Sequence, residues 1–404
     1  MHGDGGHGED LLELIYNMRT SLVACAFIAA TFSPAGTPGA SAEGLAQAIV
    51  IANDDAVIYN SRGESGIRTD AGPGSVTAVV FSGEIPRVAT VADIPASLTG
   101  APVSIALHPG RPLVIVTSAM RQVVDAGKAK QEPDNRVSLL RLEDGVLTRI
   151  AALEVGSQPS GVSFSPDGSL AYVANRNEGS VSVIEVSENA MKERARVTLA
   201  AKEASLAHMQ LSPNGTRALA TLNNTNEILF MTIDPQGVPV VTQRIKAGKG
   251  PYAARFSPDG RVAVVAHIWS DEVVFFSVGG GGLHETGRVK TARIPEGIDI
   301  SRDGEWLAVN CLGGFGVVDT AHPEFGKTGR VYLLQREGDR YVPRDDLPVP
   351  DGPQFAVFTP SGKHLAVAGT GSKKLRLFDC ADGRLRPAHI DINLPSEPAA
   401  AHRL

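Results

Sequence analysis

A four-residue turn signature recurs along the chain, and the spacing of its copies leaves few folds open. SPDG at 165–168 returns as SPNG at 212, SPDG at 257, SRDG at 301 and TPSG at 359, with a degenerate HPGR at 108. Successive copies start 57, 47, 45, 44 and 58 residues apart, a period that belongs to stacked or circular repeats. A second landmark keeps the register. Pro102, Pro159, Pro251, Pro295 and Pro353 each stand six residues before their turn, and only the copy at 212 carries another residue there, Leu206.

Each unit reads as four short strands. The Pro fixes the entry to the first, as in SGVSF or YAARF, and sits at its start because it donates no hydrogen bond. Pro, Asp and Gly then make a tight turn through fixed φ, side-chain capping and tolerance of positive φ. A second strand follows (LAYVAN, RALATL, VAVVAH, WLAVN, HLAVAG), then a loop, a third strand (SVSVIEV, EILFMTI, EVVFFSV, RVYLLQ, KLRLFD) and a weaker fourth. Four strands per period without helical periodicity predict an all-β fold, a seven-bladed β-propeller of four-stranded blades. The stretch 44–95 holds three strand-like runs but no Pro-to-turn strand, and EPAAAHRL at the other end supplies the missing one. Pairing of the N-terminal strands with this C-terminal strand is expected to close the ring and leave no open sheet edge.

Residues 43–404 are therefore expected to form one propeller domain, with residues 1–42 outside it. From Met18 the chain runs one Arg, an apolar stretch from Leu22 to Phe32, then Ala40, Ser41 and Ala42. That order predicts a secretory signal peptide cut after Ala42 and a periplasmic or secreted protein. The acidic, Gly-rich residues 1–17 are the wrong charge for the start of a leader, so Met18 is the expected true start; LVAC at 22–25 comes too early for a lipid-anchor site. No second apolar stretch has membrane length, so no stable membrane insertion is expected. A net charge of −6, with no basic stripe interleaved with aromatics, argues against nucleic acid. Cys311 and Cys380 sit beside strand-like runs in different segments and read as a pair or as two buried thiols.

SPDG…AYVAN…GSVSVIEV is similar to the YVTN repeat of seven-bladed propellers, the group that includes the 6-phosphogluconolactonase-like lactonases. The likeness covers nearly all of residues 43–404 and is densest from 157 to 380. It implies the architecture. Activity is less determined, because one fold hosts many chemistries.

In a propeller the start of each first strand and the loop between second and third strands meet on one face, around the central channel. Three of those loops are long, at 53–74, 119–135 and 312–329, in blades 1, 2 and 6. Insertions confined to one face predict a binding side. Ser160, His208, Tyr252, Glu296 and Gln354 are expected at the same mouth from the first strands, with Asn53, Asn175, Asn223, His267 and Asn310 from the ends of the second strands. The Asn residues are read as loop openers that tolerate the left-handed conformation, or as oxygen donors to a cation. His267, Trp269 and Asp271 form the one aromatic and polar cluster on a short loop.

His208 lies four places before its turn, where the lactonases resemble it with a His. The resemblance implies a neutral imidazole acting as general base on a water that attacks a lactone carbonyl, with Arg176 or Arg255 at the oxyanion. Those enzymes carry GPRH before the turn and a Glu soon after the second strand; here the residues are SLAH and Arg176. Two readings follow: an exported propeller that binds a small-molecule ligand or an envelope protein partner, and a lactonase of sugar or acyl lactones. No metal or cofactor motif is present, and none is expected.

Overall fold

The computed structural model describes residues 47–59, 64–83, 85–100 and 102–403; the expected leader, its cleavage site and the start at Met18 lie outside them. Seven four-stranded antiparallel sheets form the ring, with two additional two-stranded hairpins. Blades 3, 4, 5, 6 and 7 run first to fourth strand in chain order from Pro159–Phe164, Leu206–Leu211, Pro251–Phe256, Pro295–Ile300 and Pro353–Phe358 outwards. Blade 2 starts from the shorter Ile105–Leu107.

Closure occurs as the sequence predicts. Glu397–Arg403 is the innermost strand of blade 1 and pairs antiparallel with Ala48–Asp54, from Ile49 opposite Arg403 to Asp54 opposite Glu397. The two strands joined at that seam lie more than 300 residues apart in the chain, and their pairing leaves no open edge there.

The first three strands of a blade are buried on both faces, which is why they read as apolar runs rather than as an alternation. Alternate residues go to opposite interfaces. Val50 and Ala52 pack against blade 2, whereas Ile49 and Ile51 pack against blade 7. Seven apolar clusters result, one at each junction between neighbouring blades. The fourth strand lies at the rim and alternates, as Met191–Thr198 shows. Cys311 and Cys380 are both free, and burial pushes each thiol up to about 12.

The repeated turn is closed by its Ser. Leu170 N–H donates to Ser165 Oγ at 3.0 Å and Gly168 N–H to Ser165 O at 2.9 Å, with Gly168 at φ +73°. In the degenerate copy His108 takes the role of the Ser, its Nδ1 accepting from Gly110 and Arg111 N–H at 3.0 Å.

Two of the three long loops contain strands of their own. Val57–Tyr59 pairs with Ser65–Ile67, and Met120–Asp125 with Lys128–Pro133. The third, 312–328, is a series of turns. All three meet: the Tyr59 and Phe315 rings stand 5.0 Å apart, joining the insertions of blades 1 and 6, and Gln122 Nε2 donates to Arg68 O, joining those of blades 1 and 2. Phe315 is seated over Gly352, which has φ +64° and no room for a Cβ beside the ring. Gly352→Ala is expected to expel Phe315 and cost about 1–2 kcal/mol from the left-handed backbone alone. Faster proteolytic cleavage within 312–328, together with a lower Tm, would register it.

Candidate active site

The first strands do not run straight into their turns. Pairing with the second strand slips between Pro159 and Val162, Leu206 and His208, Pro251 and Ala254, Pro295 and Gly297, and Pro353 and Phe355. Each slip is a β-bulge, which re-aims the extra residue. The residues thrown out are Ser160, Ala207, Tyr252, Glu296 and Gln354. His208 stands one place beyond this set and is fully buried.

At the mouth face Arg176 and Glu296 are brought together. Arg176 Nε donates to Ser205 Oγ at 3.2 Å and Nη1 to Tyr252 Oη at 3.5 Å, and the guanidinium lies 5.4 Å from the Tyr252 ring centroid. Glu296 Oε2 has no hydrogen-bond partner among the described residues. Burial pushes its carboxyl up to about 8, against the opposing pull of a Gln354 hydrogen bond and of Arg176. The Tyr59 phenol feels this group, being pushed up to about 12 by burial and by Glu296, Asp54 and Glu397. Lys373 pairs with Glu397 at 3.3 Å. Outside the mouth, recesses of ≈ 270 Å³ and ≈ 300 Å³ open between the insertions and the ring.

Below the mouth the channel is crossed by the link from blade 1 to blade 2. Ser160 Oγ donates to Gly100 O at 3.1 Å, and Val162 N–H donates to Val103 O at 3.0 Å. Pro102 lies against Gly297 on the far side, and Val103 joins the cluster of Ala253 and Ile298. The landmark Pro of blade 2 thus lies in the channel rather than at the head of a strand.

His208 is placed below this bar and away from Arg176. Its titratable neighbours are Arg255 and His402. Nδ1 accepts from Ala254 N–H of the next blade at 3.2 Å, which assigns the proton to Nε2, an atom without a partner among the described residues. Burial, then Arg255 and His402, holds the ring well below the usual imidazole range. With one nitrogen engaged as acceptor and the other carrying the hydrogen, His208 is a neutral donor. This differs from the general base that the resemblance implies.

The second-strand residues serve the sheets. Asn53 Nδ2 donates to Thr77 Oγ1 at 3.1 Å, Asn175 Nδ2 to Ser182 Oγ at 2.9 Å, Asn223 Nδ2 to Pro251 O at 3.4 Å and Asn310 Nδ2 to Pro353 O at 2.8 Å. None has positive φ, so the loop-opening reading is corrected: the left-handed residues are neighbours such as Asn226, Asp271 and Lys373. Nor do these Asn residues converge; among the described residues no group of three or more His, Cys, Asp or Glu side chains is placed to hold a metal. His267 Nδ1 stays within its own sheet, 3.2 Å from Val265 O, while Trp269 is 52% exposed and Asp271 accepts from Ile294 N–H at 3.0 Å. The three do not form one site. Tyr59, Phe315 and the bar at 102–104 were not visible as site elements in the sequence, since each acts across blades.

Residues 112–399 match the family described as lactonase, 7-bladed beta-propeller. No curated protein matches the sequence. Among solved structures the chain is similar to a candidate 6-phosphogluconolactonase of Bacteroides uniformis, with TM-score 0.68 and 19% identity over 88% of this chain and 99% of that one. It is similar to the periplasmic gluconolactonase of Pseudomonas aeruginosa, with TM-score 0.65 and 18% identity over 88% and 98%. Hydrazine synthase of Kuenenia stuttgartiensis also shares the fold, with TM-score 0.57 and 18% identity over 76% and 90%. Likenesses at these identities concern the ring and not its chemistry. The family match is of another kind, since it rests on the sequence itself and spans more than half of it: the chain belongs to the lactonase family of seven-bladed β-propellers.

Proposed function

We propose that the protein is an exported lactonase that opens an uncharged sugar lactone at the mouth face, with Glu296 moving the proton and Arg176 stabilising the oxyanion. The observation that carries this reading is a largely buried carboxyl with one unpartnered oxygen, beside a guanidinium, in a member of the lactonase family. A carboxyl poised near neutral pH serves in both directions. As carboxylate it takes a proton from water while the oxygen adds to the lactone carbonyl, and the negative charge forming on the carbonyl oxygen is met by Arg176. Collapse of the tetrahedral intermediate breaks the ring C–O bond. Glu296 then returns the proton to the departing alkoxide, and a hydroxy acid leaves.

The electrostatics of the mouth select the substrate class. Asp54, Glu296 and Glu397 crowd Tyr59, against the cations Arg176 and Lys373. A dianionic phosphoryl group would face the Asp54 and Glu397 carboxyls at short range, and Glu296 as well once it ionises, whereas a neutral polyol ring offers them hydroxyl donors. Export follows from the leader expected ahead of Glu43 and agrees with an extracytoplasmic sugar-lactone substrate.

The test is turnover of a panel of sugar, phosphosugar and acyl lactones by the purified protein and by its Glu296→Gln and His208→Ala variants. Loss with Glu296→Gln supports the reading; absence of turnover by the wild type against every member sinks it. His208→Ala is expected to keep kcat/KM within about threefold while costing about 1–3 kcal/mol in chemical denaturation, because Ala254 N–H loses its acceptor. The opposite pattern, stability retained and turnover lost, would return the base to His208.

A further inference from the structure

The other end of the channel has a chemistry of its own. On the turn face a recess of ≈ 460 Å³ is lined by Gln210, His402 and Arg403, with Phe164, Phe256 and Pro213 among its walls. Gln210, Arg255 and Asp299 occupy the same place on three consecutive first strands, four residues after Leu206, Pro251 and Pro295. They therefore form a ring of side chains one level below the bar at 102–104.

This level is built almost wholly of donors. Arg255 Nη1 donates to Gln210 Oε1 at 3.1 Å and to Ala254 O at 3.4 Å, both neutral acceptors. Asp299 is the carboxylate within reach, and its Oδ2 is engaged by Arg403 Nε at 3.2 Å and by Phe358 N–H at 2.9 Å. Arg403 Nη2 also donates to Ile300 O at 2.8 Å. Arg255 feels Asp299 only through its field, and its own hydrogen bonds go to neutral oxygens. The two imidazoles add hydrogens rather than lone pairs. His402 Nδ1 accepts from Leu107 N–H at 3.4 Å, which leaves Nε2 as its donor, and the buried Nε2 of His208 is without a partner among the described residues. Both rings are held neutral, His402 down to about 3 by burial and by Arg255 and Arg403. Burial also lowers Arg255.

An uncompensated guanidinium next to neutral N–H donors is a costly arrangement without a ligand and a favourable one around an anion. We propose that the turn-face end of the channel binds a small oxyanion, a phosphate or a carboxylate, through Arg255 and the imidazole N–H groups of His402 and His208. The site is separate from the mouth, on the far side of the bar, and does not depend on the reaction assigned there. Its walls are largely apolar and the Arg255 guanidinium is held by neutral acceptors, so a neutral sugar gains little from it. The ligand enters from the turn face, between the Ser-Pro turns of blades 3 and 4.

The test uses the whole protein in calorimetric titration at low ionic strength, with inorganic phosphate in one arm and succinate in the other, and with Gln210→Glu and His402→Phe beside the wild type. Gln210→Glu sets a carboxylate against Arg255 and fills the site from within; its Tm is expected to hold or rise while anion affinity falls at least about tenfold. His402→Phe keeps the ring shape without the donor and is expected to weaken binding about three- to tenfold. Binding of phosphate alone assigns a phosphoryl ligand, binding of succinate alone a carboxylate, and binding of both a general oxyanion site. Absence of binding in both arms at about 10 mM, or affinity unchanged in Gln210→Glu, overturns the proposal.

Discussion

A chain ending at Ser396 is expected to show no cooperative unfolding transition. Removal of Glu397–Arg403 strips the inner edge of Ala48–Asp54, which pairs with it at six positions. It also uncovers the apolar faces on both sides, where Ala399, Ala400 and Ala401 are buried. Buried amides and carbonyls left unpaired cost roughly 1–3 kcal/mol each. Several of them together exceed the roughly 5–15 kcal/mol by which a domain is held folded. The loss does not stay local, because each blade completes the cover of the next and an open ring exposes two junctions at once. Scanning calorimetry and near-ultraviolet circular dichroism on the truncated chain check this. A permutant that joins residue 403 to residue 47 and opens the chain between blades 3 and 4 is expected to restore the transition, which separates closure of the ring from chain length. A truncated chain that melts cooperatively within about 1 kcal/mol of the full one would show that closure is dispensable.

The dependence on this strand was legible in the sequence for a physical reason. Turn chemistry and strand entry are local, so SPDG and the Pro six residues earlier fix the blade period wherever they occur. EPAAAHRL could then be matched to the blade that lacked a first strand. The placement of His208 was misread: it was expected at the mouth with Ser160, Tyr252, Glu296 and Gln354. It lies two residues after Leu206, whereas Ser160, Tyr252, Glu296 and Gln354 each lie one residue after their Pro, so counting alone sets it one level deeper. What the count does not carry is the partner across the blade. Ala254 N–H turns His208 from an acceptor into a donor, and Thr77, Ser182 and Pro251 O turn the Asn residues into struts. The bar at 102–104 escaped for the same reason: Pro102 obeys the landmark, yet its contacts are with blades 3, 5 and 6, far away in the chain.

Glu296 is where function and stability pull apart, and one substitution reads both. In the folded protein its carboxyl titrates near about 8, above the ordinary value of 4.5. A folded-state pKa raised above the unfolded one means that the native state binds the proton more tightly. Its contribution to stability is complete below about 4.5 and is lost as the pH rises toward 8, where the buried carboxylate must form. Glu296→Gln removes that penalty. The variant is expected to match the wild type in Tm at pH 4 and to exceed it at pH 9. Turnover moves the other way. As general base the residue acts ionised, so wild-type kcat/KM for a sugar lactone is expected to rise with pH and level off above about 8. In Glu296→Gln the rise disappears and the plateau falls by about 10²–10⁴, the range for loss of a general acid–base group. A residue that only shaped the mouth would lower kcat/KM evenly and leave the inflection in place, because some other group would still supply it. A variant stabilised at high pH with an unchanged pH–rate profile would confirm the buried carboxyl and remove it from the chemistry.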